Sequence, residues 1–433
     1  MKKLTAIVVG AGNRADVYSS HALKHPDELQ IVGVVDPDPK RVEYFKDKFS
    51  ISEENCYSSL EELLKRDKFA DFVINGTMDH IHVKTSIPVL EKGYNLLLEK
   101  PFAVNEEEMK HLCDTADKYG NKIVICHVLR YTDFYRAIKD SILKGDVGDI
   151  VSIEMNEHVN YIHMCVSYVR GKWRSEEVCF APMLLAKSCH DVDIMMWLMN
   201  HTRPERVVSF GSDFQYGPER KPDNAGNRCM VNCPLKDNCI YDCEKNYITP
   251  RRWRFYVTQP IGEDANCPEE IITESFKKEN HFGECAWNFD RGGNVDHQAV
   301  IVNFENGATG TFTMTGGSAR SERNIHIIGT KGEIKGIFED QKFVIRTKNP
   351  KSTKEDGTDG YTEKLIDLKI TGDMIGQKGG HGGGDQKMMV DLMHYLNGEE
   401  PSVSCTTLKD STISHHTVFM AEKSRKTGKI IEL

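Results

Sequence analysis

Three polar side chains recur at every third position of a mostly apolar helical pattern near the middle of the chain. The pattern covers residues 181–199, and Lys187, His190 and Asp193 are spaced three apart within it. Residues at this spacing share one face of a helix, and charged groups on a buried helix need partners or a chemical role. Histidine can accept a hydroxyl proton near neutral pH. We therefore predict proton transfer at His190 with Lys187 beside it; a purely structural histidine is the alternative.

A lysine that follows a predicted strand is the second candidate for proton transfer. Lys100 follows the predicted strand 95–99 in the sequence Glu99-Lys100-Pro101, and the proline fixes a turn whose Lys100–Pro101 bond can be cis. At the end of a strand, a partly buried lysine can donate a proton to a substrate hydroxyl or accept one from it. We predict that Lys100 is catalytic, and the alternative is a surface lysine before a proline turn.

The start of the chain supplies a frame for these side chains. The apolar run 6–9 leads through Gly10 and Gly12 into a helical pattern. Gly10 permits a tight turn, and Gly12 permits a pyrophosphate to approach the helix N-terminus closely. The next apolar run ends in Asp36, at the place where such a unit puts the acid that binds the ribose hydroxyls. We predict a dinucleotide site; a glycine turn between strand and helix is the alternative.

The type of cofactor depends on two residues near this turn. A carboxylate at Asp36 accepts from both ribose hydroxyls and repels a 2′-phosphate, so we expect NAD(H) to be preferred over NADP(H). Arg41 lies five residues further along the chain. A guanidinium at that place can accommodate the 2′-phosphate, so NADP(H) is the alternative cofactor.

Residues 3–127 alternate apolar runs with amphipathic stretches, a pattern typical of βαβ units and a parallel sheet. Further along the chain, apolar and polar residues alternate one by one, as in residues 296–304, which predicts a strand. The turn Glu305-Asn306-Gly307 joins this strand to the next one in a hairpin. The sequence therefore predicts an α/β protein. Its Rossmann domain is expected at residues 1–128, and a second α/β domain is expected at residues 129–433.

Large aromatic and cationic side chains crowd residues 161–174. They suit a sugar pocket, because aromatic rings stack on C–H surfaces and guanidinium groups hold oxygens; a tethered loop packed with large residues is the alternative. A glycine-rich loop at residues 379–385 offers either a backbone that approaches the substrate or a flexible connector. The predicted substrate contacts are Tyr161, His163, Arg170, Trp173, Arg174, Asp193 and His381.

Four cysteines lie in a loop-like insertion at about residues 215–290, with the spacing C-x3-C-x5-C-x3-C. Four thiols within 15 residues can close a tetrahedral zinc site or hold an iron–sulfur cluster. Cys267 and Cys285 belong to the same insertion and can substitute as ligands. We predict a structural zinc and no catalytic metal, with unbound reduced thiols as the alternative. The predicted ligands are Cys229, Cys233, Cys239 and Cys243.

Composition argues against several classes of partner. The net charge of −9 disfavours nucleic acids and anionic membrane surfaces, which select basic faces. No apolar run reaches the ~18 residues of a membrane span. Thirteen cysteines are spread along a chain of 433 residues, which indicates reduced cytoplasmic thiols and not a disulfide framework.

Four motifs resemble the glucose-fructose oxidoreductase and inositol dehydrogenase family, often called Gfo/Idh/MocA. They are the turn at residues 10–15, the stretch 77–82, Glu99-Lys100-Pro101-Phe102 and His190-Asp191-Val192-Asp193. The resemblance covers nearly the whole chain. It implies a nicotinamide Rossmann domain and a second α/β domain with a large, open, mainly antiparallel sheet, which often forms the oligomer contact. The expected cofactor contacts are Gly10, Gly12, Asn13, Arg14, Asp36, Arg41, Thr77, His82, Glu99 and Lys100.

The resemblance also implies hydride transfer at a sugar, polyol or cyclitol carbon, with Lys100 as a usual catalytic residue. The chain departs from the family pattern at one position. Many members carry an aspartate four residues before the histidine, where this chain has Ala186. The usual aspartate–histidine–lysine arrangement is therefore incomplete, and the neighbouring Lys187 is the residue that can supply a different charge.

We therefore expect a cytoplasmic NAD-dependent dehydrogenase that acts on a CH–OH group of a sugar, glycoside or polyol, assembled as a homodimer or homotetramer. The first alternative keeps the cofactor but is redox-neutral: a glycosidase that works through a transient keto-sugar, since some family members are glycosidases. The second alternative is a non-catalytic regulator that senses nucleotides. Intact Lys100 and His190 argue against the regulator.

Overall fold

The computed structural model describes residues 2–353, 360–369 and 381–433. Residues 379 and 380 of the predicted glycine loop lie outside these ranges. The first sheet has six parallel strands in the order β3-β2-β1-β4-β5-β6, which confirms the predicted Rossmann-type arrangement. These strands are β1 (Leu4–Val9), β2 (Leu29–Val35), β3 (Cys56–Tyr57), β4 (Phe72–Asn75), β5 (Asn95–Leu98) and β6 (Ile123–Ile125).

Helices cover both faces of this sheet. Ala6 and Val8 of β1 join the apolar cluster on one face, and Ile7 and Val9 join the cluster on the other. Burial on both faces explains why these strands read as continuous apolar runs. The α-helices of this part are α1 (Asn13–Ser19), α2 (His21–Lys24), α3 (Pro39–Phe49), α4 (Leu60–Leu64), α5 (His82–Glu91) and α6 (Glu106–Tyr119).

Helix α6 shows how local chemistry sets the ends of these helices. The side chain of Asn105 accepts from the backbone N–H of Glu108 at 2.8 Å, which satisfies one of the free donors of the first turn. Gly120 ends the helix with φ +68°, a left-handed conformation that costs glycine little.

The second sheet has nine strands in the order β14-β13-β12-β11-β7-β10-β9-β8-β15. Within this sheet, β10–β7 is the only parallel pair among the described residues, so the expectation of a large, open and mainly antiparallel sheet is confirmed. Its strands are β7 (Ile150–Asn160), β8 (Pro204–Ser212), β9 (His297–Phe304), β10 (Thr309–Ser318), β11 (Glu322–Gly329), β12 (Gly332–Ile337), β13 (Lys342–Lys348), β14 (Tyr361–Asp367) and β15 (Ile431–Glu432).

The remaining helices follow the first sheet along the chain. They are α7 (Asp133–Leu143), α8 (Tyr161–His163), α9 (Glu176–Cys179), α10 (Met183–Ala186), α11 (Cys189–Leu198), α12 (Arg254–Val257), α13 (Glu269–Lys277), α14 (Gly384–Leu396) and α15 (Leu408–Thr427). Helices α11 and α15 cover one face of the second sheet. In the part of the chain that the structure describes, no helix is both long enough and apolar enough to cross a bilayer.

The opposite face of the second sheet, which we call the outer face, is more open. Paired positions of neighbouring strands form one row across it, in which Ile301 is 47% exposed and Leu365 is 59% exposed. The row is Ile301, Thr311, Glu154, His326, Lys335, Val344 and Leu365.

A late segment of the chain returns to the first domain. Met388 and Leu392 of α14 lie in the same apolar cluster as Leu4 and Ala6 of β1. The backbone N–H of Ile125, in β6, donates to the carbonyl of Thr406 at 2.8 Å. The first domain therefore takes part of its core from residues beyond the predicted boundary at residue 128.

The stretch between β8 and β9 contains the predicted insertion. It has a small apolar core of its own, which includes Tyr247, Trp253 and Phe276. It also touches the first domain, because Lys40 Nζ of α3 donates to the carbonyl of Gly262 at 2.8 Å.

Candidate active site

The first glycine of the predicted nucleotide turn has no room for a side chain. Gly10 adopts φ +82°, and a Cβ atom there would lie 2.7 Å from the backbone nitrogen of Thr77. At Gly12 the nearest atom to such a Cβ is 3.9 Å away, so space remains above the start of α1. Asn13 is the exposed first residue of that helix. The turn therefore fits a pyrophosphate that lies against the backbone.

Asp36 follows β2 directly and is 4% exposed. Its Oδ2 accepts from the backbone N–H of Ala11 at 2.8 Å, and its Oδ1 accepts from that of Asp38 at 2.9 Å. These bonds fix the carboxylate beside the turn and leave lone pairs for ribose hydroxyls. Arg41 Nη1 lies 3.8 Å from Asp36 Oδ2, so the structure brings both predicted residues together.

The side chain of Arg14 is held inside the protein. Its Nε donates to Glu99 Oε1 at 2.9 Å, and its Nη2 donates to Tyr18 Oη and to a carboxylate oxygen of Asp385. His381 Nδ1 lies 3.2 Å from the other oxygen of that carboxylate. Arg14, Glu99 and His381 therefore form one network that joins α1 to the end of β5 and the start of α14. Sequence reasoning missed Tyr18 and Asp385, because Tyr18 also bonds the distant Glu99 and Asp385 bonds the distant Arg14.

His82 ties two loops of the first domain together and is 1% exposed. Its Nδ1 lies 2.7 Å from the carbonyl oxygen of Pro101, and its Nε2 lies 3.1 Å from that of Thr77. The Thr77 hydroxyl donates to Asn75 Oδ1 at 2.8 Å. The Lys100–Pro101 bond is cis. Thr77 and His82 therefore shape the edge of the sheet where Lys100 emerges.

Lys100 reaches the second domain at the end of helix α10, a few residues before His190. Lys100 Nζ donates to the backbone carbonyl of Ala186, the last residue of α10, at 2.9 Å. His190 follows in the first turn of α11, and no hydrogen-bond partner is present for its Nδ1 within the described ranges. Burial, and then the charge of Lys100, holds the pKa of His190 well below its usual range. The imidazole is therefore neutral at neutral pH and can accept a proton.

The predicted helix over residues 181–199 is wrong, because the structure divides it into α10 and α11. Lys187 lies at the break with φ −109° and does not share a helix face with His190 and Asp193. Its Nζ is 2.8 Å from Glu157 Oε1, on β7. Ser188 Oγ donates to the same carboxylate at 3.0 Å. These contacts hold Lys187 and Ser188 against the sheet, and the helix is interrupted at these two residues.

Lys187 remains beside the candidate site. Burial lowers the pKa of Lys187 despite the neighbouring carboxylate of Glu157. Arg323 also forms ion pairs with Glu157 and with Asp191. Its Nε lies 2.9 Å from Asp191 Oδ1. Glu157 is thus shared between two cations, and it holds Lys187 in place.

Asp193 does not reach the cleft. It is fully buried, and both its oxygens accept from Arg130, at 2.6 and 2.7 Å. Ser414 Oγ donates to it at 3.2 Å. Its predicted contact with substrate has no support from this position, and the contacts are those of a structural ion pair.

Five aromatic side chains form a closed cluster between the domains, which we call the aromatic cluster. Its neighbouring ring centroids are 4.6 to 6.1 Å apart. Its members are His163, Tyr168, Trp173, Trp253 and Tyr256.

The aromatic cluster contacts both sides of the cleft. Trp173 Nε1 donates to Asp79 Oδ2 of the first domain at 2.9 Å. Burial, and then the charge of Lys187, holds the pKa of His163 well below its usual range. Trp253 and Tyr256 come from the insertion, and sequence reasoning missed them. The aromatic spacing around residue 253 was the available signal.

The other predicted substrate contacts lie elsewhere. Arg170 is fully buried beneath the insertion, where its Nε donates to the carbonyl of Glu284 at 2.9 Å, so this position does not support its predicted role. The ring of Tyr161 packs 6.2 Å from that of Tyr241. The guanidinium carbon of Arg174 lies 6.0 Å from the ring centroid of Phe289.

The predicted metal ligands are only partly gathered. The Sγ atoms of Cys229 and Cys243 lie within 4.8 Å of each other and of a carboxylate oxygen of Asp242. Cys233 and Cys239 are half-buried and line an adjoining cavity of about 380 Å³. All thirteen cysteines fall within the described ranges, and none of them forms a disulfide.

Three buried histidines near the cleft predict a loss of stability in acid. Burial holds the pKa values of His127, His190 and His415 well below their usual range, so the folded protein leaves them neutral where the unfolded chain binds protons. The contribution of these histidines to the free energy of unfolding is therefore fully present above their unfolded pKa of about 6.5. It falls as the pH drops below that value, by up to ~1.4 kcal/mol per pH unit for each histidine. Denaturation midpoints measured from pH 8 to pH 5 test this dependence.

A matched pair of variants isolates the contribution of one buried ring. His127→Asn is expected to reduce the dependence of stability on pH, because it removes one of the three buried imidazoles. The substitution breaks no hydrogen bond of the ring, since neither ring nitrogen of His127 has a partner within the described residues. His111→Asn, at an exposed position on α6, is expected to leave the slope unchanged. Equal slopes in both variants would contradict the assignment.

Comparison with known proteins agrees with this architecture. Residues 4–127 match the description "Oxidoreductase family, NAD-binding Rossmann fold", and residues 139–433 match "Oxidoreductase family, C-terminal alpha/beta domain". The putative oxidoreductase YteT of Bacillus subtilis (strain 168) is 25% identical over 373 residues, which are 84% of this chain and 82% of that protein. An inositol 2-dehydrogenase of Salmonella paratyphi B is 23% identical over 198 residues, which are 46% of this chain and 55% of that enzyme.

A solved structure shows the same fold. The WlbA dehydrogenase from Bordetella pertussis, crystallised in complex with NADH and UDP-GlcNAcA, matches with a TM-score of 0.65 at 16% identity. The match covers 100% of this chain and 99% of that one. Because the two family matches together cover nearly the whole sequence, the protein belongs to the Gfo/Idh/MocA family of oxidoreductases and has its NAD-binding Rossmann domain.

Proposed function

We propose that the protein is an NAD-dependent dehydrogenase that oxidises a CH–OH group of a sugar, glycoside or polyol. One observation carries this proposal: a lysine of the nucleotide domain and a neutral histidine of the second domain converge on α10 and α11. Lys100 Nζ bonds the carbonyl of Ala186, four residues before His190. A hydroxyl placed between them has a donor on one side and a proton acceptor on the other.

The roles of the two residues follow from their charges. Lys100 donates a hydrogen bond to the substrate oxygen and so favours the negative charge that develops there. His190 accepts the hydroxyl proton while the hydride leaves the same carbon, which becomes a carbonyl. The nicotinamide, when bound, supplies the hydride acceptor. Lys100 therefore orients the oxygen, and His190 takes the proton.

The missing aspartate changes the surroundings of Lys100. At the position where many family members have a carboxylate, the ammonium group of Lys100 donates only to the backbone carbonyl of Ala186 among the hydrogen bonds of the described residues. A carbonyl accepts a hydrogen bond but carries no charge. We propose that Lys187, which is fixed by Glu157 at 2.8 Å, supplies the second cation of the site and binds another substrate oxygen.

The aromatic cluster supports a carbohydrate-like substrate. Aromatic faces stack on the C–H surfaces of sugar rings, and the nearby polar groups fix the orientation of the hydroxyls. His163 and Trp173 belong to this cluster and remain proposed substrate contacts, as does His381 next to His190. The rings of His190 and His381 are 6.1 Å apart.

The test of this function is net NADH formation. The purified protein is incubated with NAD⁺ and a panel of sugars, glycosides and polyols, and NADH fluorescence and released aglycone are followed together. A dehydrogenase forms one NADH for each carbonyl produced. Aglycone release without net NADH would instead identify the redox-neutral glycosidase. NADH binding without turnover of any panel member would favour the regulator.

We also propose that NAD(H) is preferred over NADP(H). The carboxylate of Asp36 is held by two backbone N–H groups, so it cannot turn away from a 2′-phosphate without losing both bonds. We expect NADH to bind at least about tenfold more tightly than NADPH, a difference of ~1.4 kcal/mol. Titration of cofactor fluorescence measures both dissociation constants.

Two variants sharpen this prediction. Asp36→Ser removes the repulsion and leaves Arg41 free for the phosphate, so the tenfold preference is expected to disappear. Asp47→Ser, at an exposed position on α3, is the matched control and is expected to keep the preference. Tighter binding of NADPH by the unmodified protein would overturn the prediction.

The outer face of the second sheet is the surface on which we propose that a homodimer or homotetramer forms. Ile301 and Leu365 of its row are exposed, and the same face carries a groove of about 920 Å³. Apolar side chains on an open sheet face are typical of an interaction surface. The free thiols are consistent with the proposed cytoplasmic location.

A further inference from the structure

A buried arginine beneath the insertion lacks a carboxylate partner. Arg170 is fully buried, and no carboxylate oxygen of the described residues lies within 4.0 Å of it. Its guanidinium donates instead to carbonyl and hydroxyl oxygens and to two sulfur atoms. These acceptors are Glu284 O, Tyr241 O, Tyr247 Oη, Cys165 Sγ and Cys229 Sγ, at 2.9 to 3.6 Å.

A buried cation requires a compensating negative charge nearby. The contact with Cys229 shows where that charge can come from, since Cys229 Sγ is 3.6 Å from Arg170 Nη2. A metal bound by several anionic ligands carries a net negative charge. Zinc with four thiolates, for example, has a charge of about −2, which would offset the guanidinium.

The donor atoms next to Arg170 are already close to one another. The Sγ atoms of Cys229 and Cys243 and one Asp242 oxygen lie within 4.8 Å of each other, and all three side chains are buried. Zinc–sulfur bonds of ~2.3 Å in a tetrahedron place two sulfurs ~3.8 Å apart. The separation of the donors is therefore compatible with a single ion, whereas an iron–sulfur cluster distributes its thiolates over several irons.

Asp242 provides an independent observation that points to a ligand. Its side chain is fully buried, and its Oδ1 accepts from the backbone N–H of Lys245 at 3.0 Å. Its Oδ2 has no hydrogen-bond partner within the described residues. An unpartnered carboxylate oxygen in the interior is costly, and a metal ion would satisfy it.

The remaining donors lie around the adjoining cavity. Cys233 and Cys239 line this cavity of about 380 Å³ together with Cys229 and Asp242. Both are half-buried, and a short 3₁₀ turn at Lys236–Asn238 separates them. Short polar turns of this kind can bring a thiolate towards an ion without disturbing the core of the insertion.

We propose that the insertion binds one structural zinc ion through Cys229 and Cys243, with two of Cys233, Cys239 and Asp242 completing a tetrahedron. The site differs from the four-cysteine set that the spacing predicts, because Asp242 enters as a candidate ligand. All five donors lie between residues 229 and 243, and Arg170 balances the charge of the filled site.

The zinc has a structural role that reaches the active site through the insertion. Cys229, Cys243 and Trp253 belong to the same apolar core. Trp253 stacks on His163, with ring centroids 4.6 Å apart. Gly262 of the insertion accepts from Lys40 of the first domain. The metal therefore fixes the loop that holds one wall of the cleft, and no chemical step involves it.

Elemental analysis tests the proposal. The full-length protein is purified without chelator, reconstituted with zinc chloride, dialysed, and analysed for zinc and iron. We expect about one zinc per chain in the unmodified protein and about a tenth of that or less in Cys229→Ser and Cys243→Ser. Cys113→Ser, at a half-buried position on α6 of the first domain, is the control and should retain the metal.

Two further measurements keep the test independent of folding failure in the variants. Cobalt replaced into the unmodified protein should show thiolate-to-metal charge-transfer absorption, and a chelator should increase the number of thiols that react with a chromogenic disulfide. Asp242→Asn, Cys233→Ser and Cys239→Ser then identify the two remaining ligands. Absence of zinc after reconstitution, zinc content unaffected by Cys229→Ser, or bound iron with visible absorption would each overturn the proposal.

Discussion

Lys100→Ala and His190→Ala are each expected to lower kcat by about 10²–10⁴-fold, the usual contribution of general acid–base catalysis. The Kd for NADH should change by no more than a few-fold, because the nucleotide end of the cleft is built by Gly10, Gly12 and Asp36. Lys100 leaves the first domain and His190 lies on α11, so the two groups act on one hydroxyl only when both domains are in place. Steady-state kinetics and cofactor titration measure the two quantities.

Exposed residues of the same type serve as controls. Lys110→Ala and His111→Ala lie on α6, and both are expected to keep normal turnover. If Lys100→Ala stays active and His190→Ala merely unfolds, His190 is a core residue and the proposed site is wrong. If only Lys187→Ala abolishes turnover, Lys187 is the principal base and compensates for the aspartate that is missing at Ala186.

Asp193→Ala is expected to destabilise the protein by ~3–5 kcal/mol, because it leaves the buried guanidinium of Arg130 without a counter-charge. The side chains of this pair are 1% and 3% exposed, and the two hydrogen bonds between them measure 2.6 and 2.7 Å. The midpoint of unfolding in urea measures the loss.

A double variant separates the cost of an unpaired charge from the value of the pair. Arg130→Met combined with Asp193→Leu removes both charges, and we expect it to recover most of the stability that Asp193→Ala loses. Asp114→Ala breaks an exposed pair with Lys110 and should leave the midpoint of unfolding nearly unchanged. A stable Asp193→Ala protein with a raised KM would show instead that Asp193 binds substrate.

The parts of the fold that depend on local order were predictable from sequence. Gly10, Asp36 and Lys100 each follow a continuous apolar run, and the end of a parallel strand fixes where such residues lie. The predicted hairpin at Glu305-Asn306-Gly307 likewise depends on neighbouring residues, and the structure has β9 and β10 on either side of it. These features need only contacts within a few residues or a regular topology.

The errors concern contacts between distant residues. The break between α10 and α11 depends on Glu157, which binds Lys187 and Ser188 from β7, and the apolar pattern gave no sign of it. Arg170 is a predicted substrate contact, but the insertion folds over it and supplies the carbonyls of Tyr241 and Glu284. These contacts of Arg170 form only when the insertion packs on the second domain.

The return of α14 to the first domain affects the order in which the protein can be assembled. A ribosome releases β1 long before Met388, yet both belong to one apolar cluster. The nascent nucleotide-binding domain must therefore wait with part of its core uncovered until the second sheet and α14 have also emerged. That domain thus depends on α14, so a chain terminated before α14 would present an apolar surface to chaperones and proteases.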